Sequence, residues 1–124
     1  MDENIIISFV IERTQRVRYR EHLTNPKKRG RVLDKLNHSP PLDERWTTWY
    51  SSLKKAINSI QVSPDKEVYV LSAAKEIDGK IMPFMEAVEK IQYFGWGSII
   101  GISPVLALYY GEEGEKNAVI QKKA

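Results

Sequence analysis

Proline and glycine cut this chain into segments too short for anything but brief helices and strands, and that punctuation limits what it can fold into. Asn25-Pro26, Pro40-Pro41, Ser63-Pro64, Asp78-Gly79, Gly95 and the pair Gly111 and Gly114 each interrupt an apolar pattern. Even the longest apolar stretch, residues 99 to 110, is broken by Gly101, Ser103 and Pro104, and it falls far short of the roughly 20 residues needed to span a bilayer. A length of 124 residues suits one domain with one core, expected to cover residues 1 to 124.

Local patterns then assign the segments. Residues 5 to 11, Ile-Ile-Ile-Ser-Phe-Val-Ile, are rich in β-branched side chains, so strand and helix both stay open there; they lead into a helical run to about Leu23. Asn25 as cap and Pro26 at the first helical position predict a helix from residue 26. On it Val32, Leu33 and Leu36 form an apolar stripe, and Lys27, Arg31 and Lys35 recur every four residues on another side. From Asp43 to about Gln61, Trp46, Trp49, Tyr50, Leu53, Ile57 and Ile60 follow helical spacing, which predicts a long amphipathic helix. Val68-Tyr69-Val70-Leu71 reads as a strand covered on both faces. Asp78-Gly79 reads as a tight turn, and Pro83 opens a helix that stops at Gly95 in the left-handed region. Strands are expected near residues 98 to 102, 105 to 110 and 118 to 121. The fold class is α+β, with a helical N-terminal half packed on one face of a small, mostly antiparallel sheet of strand-helix-meander type.

The charge pattern carries the strongest functional signal. Residues 1 to 62 hold twelve Lys and Arg against seven Asp and Glu, residues 63 to 124 hold seven against nine, and all seven arginines lie in the first half. Such asymmetry points to an acidic partner for the basic half. Arg16, Arg18 and Arg20 are expected toward the C-terminal end of the first helical run, where the macrodipole favours cations. Lys27, Lys28 and Arg29 fall instead in the first turn of the next helix, where each cation is disfavoured by about 0.3–1 kcal/mol. Free amides and three cations there would together make an anion site. The alternative is neutralisation within the fold by Glu21 or Glu112. The candidate anion-binding or nucleic-acid-binding residues are Arg13, Arg16, Arg20, Lys27, Lys28, Arg29 and Arg31.

Other chemistry is sparse. There is no cysteine and there are two histidines, His22 and His38, which removes thiolate chemistry and gives no metal-ligand spacing. No catalytic residue, metal or cofactor is expected. The acidic start Met1-Asp2-Glu3 is unlike an export signal, and a cysteine-free small domain suits the cytoplasm. Glu76 and Asp78, following the strand at Tyr69, could serve a small enzyme as acid or base. Asp78, Trp96 and Gly97 are candidate ligand or partner contacts, because a second glycine after Gly95 is not needed to stop a helix. Trp46, Trp49 and Tyr50 are either core or a protein-interaction face.

From Arg18 onward the chain resembles a family of small uncharacterised bacterial proteins. The resemblance rests on Arg18-Tyr19, Leu23, Pro26-Lys27, Tyr69-Val70-Leu71-Ser72, Ile77-Asp78-Gly79-Lys80-Ile81-Met82-Pro83, Gly95-Trp96-Gly97 and Tyr109-Tyr110-Gly111-Glu112. It implies a bacterial-type cytoplasmic protein and assigns no activity, and the Trp46 region departs from the pattern. The leading functional expectation is a binding module whose basic helices engage a polyanion, either nucleic acid or an acidic protein. The alternatives are the small enzyme and the interaction subunit.

Overall fold

A computed structural model describes residues 1 to 123. The fold is α+β. The N-terminal part supplies helices α1 (Glu3–Val10), α2 (Arg16–Leu23) and α3 (Pro26–Asp34), followed by a short 3-10 turn, Lys35–Asn37. Strand β1 (Thr47–Tyr50), helix α4 (Leu53–Asn58), strands β2 (Glu67–Ser72) and β3 (Ile81–Pro83), and helix α5 (Phe84–Phe94) come next. Strands β4 (Ser98–Ser103), β5 (Leu106–Gly111) and β6 (Lys116–Gln121) complete the chain. All six strands join one antiparallel sheet in the order β1-β6-β5-β4-β2-β3, so β1 and β3 form its edges.

Residues 5 to 10 resolve as helix. Asp2 accepts a hydrogen bond from the Ile5 amide at 3.0 Å, capping α1, and that local cap outweighs the β preference of three consecutive isoleucines. The helical run then breaks: Ile11 is extended and bridges to Leu42, so Arg16 opens α2 rather than sitting toward a helix C-terminus.

The helix expected from Asp43 to Gln61 does not form. Thr47, Thr48, Trp49 and Tyr50 pair as an edge strand with residues 117 to 120 of β6. β-branched and aromatic residues are poor helix formers, and β6 offers a row of backbone groups that only a strand can satisfy. Ser52 then caps the short α4 by accepting from the Lys55 amide. The aromatic residues consequently divide between two layers. Trp46 packs with the N-terminal helices and Tyr50 with the opposite layer, while Trp49 keeps 44% of its surface exposed with its ring edge-on to Tyr109.

Helices cover both faces of the sheet, not the single face expected. On one side Ile6, Phe9, Val10, Tyr19, Leu23 and Leu33 pack on Leu71, Ile99, Ala107, Tyr109, Ala118 and Ile120. On the other, Ala56, Phe84, Val88 and Ile91 pack on Val70, Ile100, Leu108 and Val119. The alternation along each strand sends successive residues to opposite cores. Two glycines allow close approach on the first side. Ile6 of α1 rests on Gly101, where a Cβ would lie 2.5 Å from its terminal methyl. The Tyr109 ring lies along its own strand over Gly111, and its hydroxyl donates to the Leu36 carbonyl.

Gly111→Ala should therefore cost about 1–3 kcal/mol by overpacking against a fully buried ring. Gly30, within α3, has no atom near the position of an added Cβ, and Gly30→Ala should add about 0.5–1 kcal/mol. Urea denaturation of the two variants reads both signs.

Candidate functional site

The seven arginines separate into those used by the fold and those left to solvent. Arg16 donates from Nε to the Ile11 carbonyl at 2.8 Å and from Nη2 to Asp43 at 3.0 Å. Asp43 is buried and also receives Arg45, whose guanidinium stands 4.7 Å from the Trp46 ring centroid. The hydrogen bond from Arg45 leads the causes that hold the Asp43 carboxyl below its ordinary 3.8, with the charges of Arg45 and Arg16 adding to it against the opposing effect of burial. Arg16, placed at the positive end of α2, is thus compensated by a carboxylate from a loop 27 residues away.

Arg29 holds together a second, wider network. Its guanidinium meets Asp78 through Nε at 2.8 Å and Nη2 at 3.1 Å, while Nη1 donates to Glu3 at 3.0 Å and to the Leu23 carbonyl at 3.0 Å. The Tyr69 hydroxyl donates to the same Glu3, and burial first, then that carboxylate, push its pKa up to about 12. The hydrogen bond to Asp78 raises the already high Arg29 pKa further. One side chain therefore joins α1, α3 and the β2–β3 connection. The neutralising acids are Glu3 and Asp78, not Glu21 or Glu112; Glu112 instead pairs with Lys116 at 3.2 Å and His38 at 3.4 Å.

Asp78 also accepts from the Ser72 amide at 3.1 Å. A carboxylate holding a forked guanidinium and a backbone N–H has most of its acceptor positions committed, which suits an architectural tie better than a general base. Glu76 is exposed beside it. Nor are the first-turn amides of α3 free. Lys27 N–H donates to the Asn25 side chain at 2.9 Å, and Lys28 and Arg29 N–H donate to the Asn25 carbonyl. The expected backbone anion cradle is filled by its own cap.

What is left outward is a cationic surface on α2, α3 and the 3-10 turns Arg13–Gln15 and Lys35–Asn37 that flank them. Arg13, Arg18, Lys27, Lys28, Arg31 and Lys35 are exposed and Arg20 is half-buried. Among the described residues none of these seven makes an ion pair within 4.0 Å. Glu21 and Asp34 are exposed on the same helices. His22 reports on this surface: partial desolvation first, then Lys28, Arg18 and Lys35, hold its pKa below 6.5 against the opposing effect of Glu21.

Trp96 and Gly97 belong to a separate feature. Gly97 has φ +79°, and a Cβ there would lie 2.5 Å from Asn37 Oδ1 and 3.1 Å from the Asn37 amide nitrogen. Its own amide donates to the Tyr110 carbonyl and its carbonyl accepts from Ala73. Close approach by the Lys35–Asn37 turn is what the second glycine permits. Gly95 ends α5 at φ +131° and ψ −178°, outside the left-handed helical region expected, in a region open essentially only to glycine. Beside it an open cavity of about 420 Å³ is lined by Asp34, Asn37, Ala73, Ala74, Phe94 and Trp96. Phe94 and Trp96 keep 39% and 43% of their surface exposed. Sequence reasoning singled out Trp96 but not Asp34 or Asn37, because only the chain reversal after α3 brings them beside Ala73 and Phe94.

Among the described residues there is no group of three or more metal-ligating side chains, and no helix is long and apolar enough to cross a membrane. No protein-family model, curated protein or solved structure matches the chain.

Two outcomes follow from the inward networks. Arg29→Ala should destabilise by about 2–3 kcal/mol by stranding Glu3 and Asp78, with Arg29→Lys recovering only part because an ammonium cannot fork. Asp43, with its folded pKa depressed, contributes stability that is fully present above the unfolded value of about 4 and is lost as pH falls through the folded one. Asp43→Asn should accordingly be less stable than the parent at neutral pH, with the gap closing on acidification, as thermal melts across that range would record.

Proposed function

We propose that this protein is a non-enzymatic binding module, cytoplasmic in location, whose α2–α3 surface engages a polyanion, with nucleic acid as the ligand. The supporting observation is the contrast between two sets of basic residues. Arg16, Arg29 and Arg45 each have an internal carboxylate, whereas Arg18, Arg20, Lys27, Lys28 and Arg31 have none among the described residues and cluster on adjoining helices. A fold that pairs these three arginines with its own carboxylates leaves the other cations available to phosphates.

On this reading affinity comes mainly from phosphate neutralisation and the associated release of counterions. It therefore falls steeply with salt. Arg16 and Arg29 take no part, since both are spent on the fold. The remaining cations position the strand without reading sequence. An acidic protein partner would use the same residues, but its binding would lack the counterion slope set by a uniformly charged backbone.

Fluorescence anisotropy of a labelled oligonucleotide against salt is the direct test. The triple variant Lys27→Ala, Lys28→Ala, Arg31→Ala should weaken binding and reduce the log–log slope by about 0.7 per lost contact on a single strand. Absence of binding at low salt would defeat the nucleic-acid reading. Neutralising the cations around His22 should also raise its pKa, so binding takes up a proton and affinity rises as pH is lowered through the histidine range. A histidine titration followed by NMR, with and without the oligonucleotide, measures that shift.

A further inference from the structure

The cavity beside Trp96 and the cationic stripe of α3 are parts of one surface. Lys27, Arg31 and Asp34 stand at positions i, i+4 and i+7 of the same helix, so they lie along one side of it, and all three are exposed. With a rise of about 1.5 Å per residue, Arg31 lies roughly 4.5 Å and Lys27 roughly 10.5 Å along the axis from Asp34. The stripe runs from two cations to a carboxylate at the mouth of the cavity, whose lining includes Phe94 and Trp96. The Asp34 carboxylate has no hydrogen bond or ion pair among the described residues.

We infer that the cavity receives a guanine base from a single-stranded nucleic acid, with the flanking phosphates on Arg31 and Lys27. This rests on the polyanion reading above and adds to it a place where a base is read. The argument is one of complementary chemistry. A cavity of about 420 Å³ is within the usual size range for a small organic group. Exposed aromatic rings beside a basic surface suit the stacking of an unpaired base, which has a π-face whatever its identity. Asp34 supplies the selection. A carboxylate only accepts hydrogen bonds, and guanine is the base whose Watson–Crick edge presents two neighbouring donors, N1–H and the N2 amino group. Adenine, cytosine and thymine each place an acceptor beside their donor on that edge, opposite a carboxylate oxygen. Duplex DNA has both its donors and its faces occupied, so the occupant must be unpaired.

The cavity is also held in shape. Asn37 packs against Gly97, and Leu36 before it accepts from Tyr109, so the wall carrying Asp34 and Asn37 is fixed to the sheet. A wall already ordered costs a ligand little to engage.

The test compares an oligothymidylate carrying a single central dG with the same strand lacking it, both titrated against the intact protein. The dG strand should bind about tenfold more tightly, the discrimination a well-formed bidentate contact gives. Asp34→Asn, which changes an exposed and unpaired side chain, should bring the two strands to equal affinity while leaving the salt slope in place. Trp96→Ala should weaken the dG strand selectively, and Lys27→Ala with Arg31→Ala should weaken both strands alike. Free guanosine 5′-monophosphate should compete poorly, because it brings no second phosphate to Lys27. If it competes as well as the strand, the cavity serves a free nucleotide and the strand assignment is overturned. Equal binding of the two strands by the parent protein, or a dG preference that survives Asp34→Asn, overturns the base pocket and leaves the polyanion reading standing. No binding of either strand at low salt overturns both.

Discussion

The central strands β4 and β5 are apolar on both faces, and the rest of the architecture answers to that. Ile99 and Ile100 are adjacent in sequence, buried, and committed to different cores; so are Leu108 and Tyr109. A sheet with two such faces is stable only when both are covered. The N-terminal helices close one side, and α4 and α5 close the other. Neither layer could be removed without exposing a row of isoleucine, leucine and valine from strands that stay paired.

Covering the first face requires three short helices to hold their places, and each is anchored by a polar tie at its margin. Asp43 receives Arg16 from α2 and Arg45, while its backbone amide donates to the Val10 carbonyl at the end of α1. Arg29 brings the start of α1 and the start of α3 to the turn after β2. Both ties are partly buried and multiply hydrogen-bonded, the condition under which losing one partner is costly. The basic residues of this half thus have two physical roles, and only their partners distinguish them.

That division explains how much could be read from the sequence. The helix from Pro26, the helix from Pro83 to Gly95 and the C-terminal meander were legible because proline, asparagine and glycine act locally. The α+β class followed from their order. The Trp46–Ile60 segment differs from its helical expectation because helical spacing of large apolar side chains is also what results when a strand and a short helix meet at a serine pair. Pairing with β6, whose residues 117 to 120 lie opposite residues 50 to 47, decides between them, and nothing local announces it. Likewise Asn25 is legible as a cap, and the same cap fills the first-turn amides that an anion would need. Arg29 and Arg31 are indistinguishable by composition; one turn position directs the first to Glu3 and Asp78 and leaves the second in water.

The ends of the sheet carry a consequence of their own. β1 offers four residues and β3 three, and β3 finishes on Pro83, which has no N–H to donate. Each margin is too brief to template a further strand from another chain, the usual route by which an open sheet recruits copies of itself. A protein with this much β-branched sequence would otherwise be a candidate for fibrous self-assembly. Here the long apolar strands are all interior, and the sheet terminates in segments poorly suited to growth.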